Sequence, residues 1–165
     1  MDLPGSSQRR HSIRLSGYDY SQAGAYFVTI CTLNRRLLFG EIHDGEMHLN
    51  AFGRMASAQW LLLAYHFTNL ELGEFVIMPN HVHGILVITG RPNGTLPGSI
   101  GAIIQNFKSI TSRKINLHSG KSKERFWQRN YYEHIIRNEQ DMLTITDYIL
   151  ANPQNWVKDE EYQIH

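Results

Sequence analysis

Two apolar runs, Leu70 to Met78 and Val82 to Ile88, are separated by little more than the dipeptide Pro79-Asn80. Proline cannot donate to a strand ladder and asparagine accepts turn geometry, so the runs are predicted to fold back on each other as antiparallel neighbours. Upstream, Ala25 to Thr32 (AYFVTICT) has the β-branched and aromatic composition of a buried strand. Leu37 to Leu49 contains Asp44-Gly45, a tight-turn pair that predicts a short hairpin. From Ala51 to His66, the residues Met55, Ala58, Trp60, Leu62 and Leu63 recur at spacings near three and four, as in a helix. Downstream, the Gly-, Pro- and Asn-rich stretch Gly90 to Gly98 is a loop, and Ile100, Ile103, Ile104, Phe107, Ile110 and Ile115 mark a second helix. Gly120 to Glu124 reads as a loop and Phe126 to Ile136 as a further strand. A last helix is expected to start after Asn138, a good cap followed by Glu139 and Asp141, and to stop at Pro153.

The order β, hairpin, α, β, β, α, β, α contains the split βαβ pattern of ferredoxin-like folds. The expected class is therefore α+β: an antiparallel, RRM-like sheet with helices on one face, the other face free for a ligand, and a C-terminal helix at the end of the chain. A length of 165 residues without internal repeats suits one domain spanning 1–165, with residues 1–17 as a flexible basic arm. An apolar share of 42% against 19% charged residues excludes a disordered effector. The longest apolar run, Trp60 to Tyr65, is far shorter than the roughly 20 residues of a membrane span, and residues 1–17 are too polar for a signal core, so a cytoplasmic protein is expected. With Cys31 as the single cysteine, a metal must be bound by His, carboxylate or amide groups.

The net charge of +1 hides an uneven distribution. Lys108, Arg113, Lys114, Lys121, Lys123, Arg125 and Arg129 share a stretch with one acid, Glu124, and Arg9, Arg10, His11 and Arg14 form a second basic cluster. Such runs are either solvated surface or a surface for phosphates.

In Met78-Pro-Asn-His-Val-His83 the period-two pleat sends His81 and His83 to one face, continued by Ile85 and Val87, while Val82, Leu86 and Ile88 take the other. On the last helix Tyr148 and Asn152 lie four apart beside the apolar stripe Met142, Ile145, Ile149. Each pattern alone fits an ordinary structural role: hydrogen-bonded histidines, an edge-of-core tyrosine, an asparagine ending a helix before proline. Together they supply a hydroxyl nucleophile, two imidazoles and an amide oxygen for a metal, and cations for phosphates, a set that suits phosphoryl transfer on nucleic acid. A phenol with a pKa of about 10 is a weak nucleophile at neutral pH, so the metal must provide much of the acceleration. A mixed N/O set suits Mn²⁺ better than Mg²⁺, and zinc also fits. His134 offers a third imidazole, which would give a three-His zinc site and turn the reading toward hydrolysis. His43, His48, His66 and His118 read as structural or solvated, and Cys31 as a small core residue.

Four segments in this order resemble the single-tyrosine HUH transposases that act on single-stranded DNA, most closely the REP-associated tyrosine transposases. They are Tyr18-Asp-Tyr-Ser with Gly24 to Thr32, Val76 to Gly84, Phe126 to Asn138, and Tyr148-Ile-Leu-Ala-Asn-Pro153. The resemblance implies that His81 and His83 ligate Mg²⁺ or Mn²⁺ and that Asn152 helps complete the metal site. It makes Tyr148 the nucleophile, in preference to Tyr131 and Tyr132. It further implies cleavage and rejoining through a 5′-phosphotyrosine link at single-stranded or hairpin DNA of the REP type, in the bacterial cytoplasm at the nucleoid. Arg9, Arg10, Arg14, Lys108, Arg113 and Lys114 are candidate DNA contacts by charge alone. A monomer and a homodimer are both open. Two rivals share the fold: a non-catalytic ferredoxin-like nucleic-acid binder, and a metal-dependent nuclease that uses water. Neither needs Tyr148.

Overall fold

The computed structural model describes residues 23–90 and 99–158. Arg9, Arg10, Arg14 and the expected N-terminal arm lie outside them, as does most of the Gly90–Gly98 loop. The elements run β1 (Gly24–Cys31), β2 (Gly40–His43), β3 (Glu46–Leu49), α1 (Ala51–His66), β4 (Leu70–Met78), β5 (His81–Ile88), α2 (Ile100–Ser119), β6 (Tyr132–Ile136) and α3 (Glu139–Ala151). Short 3-10 turns stand at Leu33–Arg35 and Trp156–Lys158. The main sheet has the order β4-β5-β1-β6 with every neighbouring pair antiparallel, the ferredoxin-like arrangement expected from the split βαβ order. The β2–β3 hairpin stands apart as a second sheet, turning at Asp44 and Gly45, both at positive φ.

Asparagine and serine set the helix starts. Asn50, Ser99 and Asn138 each accept a hydrogen bond from the backbone N–H three residues on, at Gly53, Ala102 and Asp141. Gly120 closes α2 in the left-handed conformation that favours glycine.

Side-chain alternation along the strands divides the interior in two. Tyr26, Val28 and Ile30 of β1, with Val82, Leu86 and Ile88 of β5, pack under Trp60 and Leu63 of α1 and Ile103 and Phe107 of α2. Phe27 and Ile85 point to the opposite face and meet Ile136 of β6 and Ile145 and Ile149 of α3. The face expected to be free is thus partly covered. The apolar stripe of α3 requires burial, and the sheet offers the surface for it. The strand expected over Phe126–Ile136 is also shorter than its aromatic content suggested. Phe126 and Trp127 belong to the main core through irregular chain, where Trp127 pairs with Thr32 in an isolated bridge and packs on Phe39 and Phe107. Only Tyr132 onward joins the ladder.

Between the two faces, Gly84 lets a large ring pass close beneath β5. A Cβ built there would lie 2.2 Å from a ring carbon of Trp60, which is fully buried and has no room to retreat. Gly84→Ala is therefore expected to destabilise the fold by about 1–3 kcal/mol or more, read from the midpoint of urea unfolding.

Candidate metal and nucleophile site

His81 opens β5 opposite Cys31 of β1 and Met78 of β4, and His83 stands opposite Thr29 and Val76. Both imidazoles are buried and their ring centroids are 4.3 Å apart. Their neighbours orient them. His81 Nδ1 is 2.8 Å from Asn80 Oδ1, an oxygen that only accepts, so the proton sits on Nδ1 and Nε2 presents its lone pair. Asn80 is itself oriented by donating from Nδ2 toward Arg35 O at 3.5 Å. His83 Nδ1 lies 2.8 Å from Thr29 Oγ1, a hydroxyl able to accept the same kind of bond. In both rings a second group holds Nδ1 and fixes the imidazole, an orientation that metal-binding histidines also require.

Helix α3 brings the remaining groups. Tyr148 Oη is 3.4 Å from His83 Nε2, and its ring stands edge-on to Phe27 at 6.0 Å. Eight residues later, the Trp156 indole stacks on the His81 ring at 6.1 Å with an interplanar angle of 27°. Asn152 lies midway in sequence between these two contacts, at the C-cap of α3. It is buried, and its Oδ1 has no hydrogen-bond partner among the described residues. A buried amide oxygen without a partner costs stability and calls for a donor or a cation. Among the described residues no three His, Cys, Asp or Glu side chains gather to hold a metal. Two neutral imidazoles and one amide oxygen fit a divalent ion that keeps positions for phosphate oxygens.

The competing candidates fall elsewhere. His134 of β6 faces Phe27 across the ladder, with Nε2 3.0 Å from Asp141 Oδ2. β6 lies two strands from β5, about 10 Å away, so a three-His site does not form. Tyr131 packs against the α1–α2 core on the other side of the sheet. Tyr132 stands beyond Thr29 on the next strand, against Phe27. Of the three tyrosines, Tyr148 is the one at the histidine pair.

The basic candidates disperse as well. Arg113 and Lys114 are exposed on α2, which covers the face opposite the histidines. The acid of that stretch, Glu124, pairs with Arg36 at 2.6 Å and Lys121 at 3.1 Å. Lys108 turns inward, its Nζ donating to the carbonyls of Gln128 at 2.8 Å, Asn130 at 3.2 Å and Arg129 at 3.4 Å, over the ring of Tyr131. Burial pushes the Lys108 pKa down from its ordinary 10.5 to about 8. Between those two values the unfolded chain holds a proton that the folded chain has released, so stability rises with pH across that window. Urea unfolding at pH 8 and pH 10 should show this rise in the native chain relative to Lys108→Met, which has no such proton to lose.

Three supporting residues escape sequence reasoning. Asn80 was legible only as a turn former, although its position directly before His81 was a usable signal. Thr29 depends on the β1–β5 register. Trp156 lies past the proline that ends the helix, where no periodicity extends.

A ferredoxin-like sheet carrying two histidines at a strand end, with a tyrosine helix laid over them, defines a transposase architecture. Residues 56–152 match the family described as IS200-like transposases, and the chain belongs to that family. Its relatives narrow the class. It is 41% identical to an uncharacterized protein of Haemophilus influenzae over 93% of both chains. It is 26% identical to a REP-associated tyrosine transposase of Escherichia coli K12, over 84% of this chain and 73% of that one. Among solved structures, a REP-associated tyrosine transposase bound to a REP hairpin has the same fold, with a TM-score of 0.61 at 24% identity over 93% of this chain and 77% of the other. A transposase structure from Deinococcus radiodurans matches at a TM-score of 0.50 and 18% identity, over 83% of this chain and 95% of that one. No described helix is long and apolar enough to cross a membrane.

Proposed function

We propose that this transposase cuts and rejoins single-stranded DNA beside a REP-type hairpin, with Tyr148 as nucleophile. The observation that carries the reading is the placement of Tyr148 Oη 3.4 Å from His83 Nε2, on a helix that also brings the buried, unpartnered Asn152 oxygen. Tyr148 Oη attacks a backbone phosphorus, forming a P–O bond to the phenol and breaking the bond to the 3′ oxygen. The phenol proton is released to solvent, and the departing 3′ oxygen is protonated. Because the phosphate ester is conserved in the link to tyrosine, the same 3′ hydroxyl or another can attack it in reverse, without ATP. A divalent cation, Mg²⁺ or Mn²⁺, held by His81, His83 and Asn152 would polarise and orient the scissile phosphate. Asn80 and Thr29 keep the imidazoles aimed, and the Phe27 edge holds the tyrosine ring against His83. Arg113 and Lys114, on the far side of the sheet, would engage the hairpin away from the cleaved strand, and Arg9, Arg10 and Arg14 are further candidate contacts by charge. The protein acts as one domain in the bacterial cytoplasm, at the nucleoid, and the reading holds for a monomer or a homodimer.

The test incubates the protein and Mn²⁺ with labelled hairpins bearing single-stranded flanks and resolves the products on a denaturing gel. A DNA-linked protein band whose peptide map ends on Tyr148 supports the proposal. Cleavage without a linked band would replace it with a water-using nuclease.

A further inference from the structure

From a second concavity on the molecule, we infer that the single-stranded flank runs through the cleft between the N-terminal half of α2 and residues 129–131 before it reaches the histidine pair. The inference deepens the function proposed above and rests on it. The cleft has a volume of about 670 Å³, within the roughly 300–1,000 Å³ of ligand sites, and its walls include Ser99, Gln105, Arg129, Asn130 and Tyr131. Asn130 and Tyr131 also line a small crevice of about 30 Å³ whose other walls are Thr29, Cys31, Gln128 and Tyr132. Thr29 is the residue whose hydroxyl lies 2.8 Å from His83 Nδ1. Asn130 and Tyr131 thus border both the cleft on α2 and the crevice at Thr29, beside the histidine pair.

The chemistry of this path suits a polyanion with exposed base edges. No carboxylate lines either cavity. Arg129 is exposed and has no salt bridge among the described residues, while the Gln105, Gln128 and Asn130 amides offer both donors and acceptors. Lys108 serves as the brace of the path. Its three bonds to the carbonyls of 128–130 fix the segment that both cavities share. A single strand, whose unstacked bases can be read from the side, fits such a turning track better than a rigid duplex does.

The test measures binding of the full-length protein, and of an Arg129→Ala, Gln105→Ala variant, to a single-stranded thymidine oligonucleotide and to a blunt duplex. Both substituted side chains are exposed, so the fold is not at stake. The variant is expected to bind the single strand about fourfold more weakly at near-physiological salt, with the slope of log K against log salt reduced by about 0.7, and to bind the duplex unchanged. Restoring the charge as Arg129→Lys should recover the slope. Equal single-strand binding by variant and native protein, an equal loss on the duplex, or no native binding to thymidine strands at low salt would each overturn the track. Formation of the Tyr148 adduct at saturating DNA is read separately. Unchanged single-strand binding by the variant, with an adduct formed by the native protein, discards the track and keeps the proposed function. Weakened binding by the variant, with no adduct from the native protein at any DNA concentration, discards the function.

Discussion

Replacing Tyr148 by phenylalanine is expected to abolish covalent capture of DNA, by at least about 10³-fold, while the fold and the binding of DNA persist. The phenyl ring retains the edge contact with Phe27 and the packing beside His83, so the substitution removes an oxygen and little else. Loss of a bond as long as the 3.4 Å contact to His83 costs at most about 1 kcal/mol of stability. The large effect is on chemistry alone, because no other atom of the ring can form the phosphate ester. The denaturing-gel assay with Mn²⁺ reads it directly. A persisting adduct would move the nucleophile to Tyr131 or Tyr132, neither of which the fold brings to the histidine pair. Intact binding with no cleavage by the native protein, over a range of hairpin sequences, would instead favour the non-catalytic binder.

The parts of this site that could be read from sequence are those governed by short-range rules. Pro79-Asn80 between two apolar runs imposes the β4–β5 pairing, and the period of two then places His81, His83, Ile85 and Val87 on one face, as the structure has them. Helical spacing likewise puts Tyr148 and Asn152 on neighbouring turns. The covered sheet face was harder to foresee. Whether α3 joins α1 and α2 or crosses to the other side depends on which sheet surface its Ile145 and Ile149 find unoccupied, a property of the whole packing. The same holds for charge. Lys108 and Arg113 look equivalent in a basic stretch, yet their positions on α2 differ by five residues, enough to turn one toward the 128–130 carbonyls and leave the other in solvent. Aromatic content misled over Phe126 and Trp127 because both strands and irregular core segments bury aromatic rings.

If His81 holds the cation as proposed, His81→Ala is expected to eliminate divalent-ion-dependent cleavage, and the groups behind it allow a finer prediction. Asn80 donates nothing to a cation in this arrangement, since its Oδ1 already faces His81 Nδ1. Asn80→Ala should nevertheless weaken Mn²⁺ binding by about 10–100-fold, because the His81 ring loses the acceptor that keeps the proton on Nδ1 and the lone pair on Nε2. Asn152→Ala should weaken it through a different route, by deleting the oxygen itself, and should also relieve the cost of a buried amide without a partner. The two substitutions are thus distinguished by stability. In the metal-free protein Asn80→Ala lowers the unfolding midpoint, since it breaks a buried hydrogen bond, whereas Asn152→Ala leaves it level or raises it. Electron paramagnetic resonance of free Mn²⁺, together with urea unfolding of the metal-free variants, measures both. If Asn152→Ala left Mn²⁺ affinity unchanged, the amide would be a structural cap on α3 and the cation would rest on the histidine pair alone. If His81→Ala also left it unchanged, the imidazoles would have to be reassigned to hydrogen bonding, and the tyrosine would act without a metal beside it.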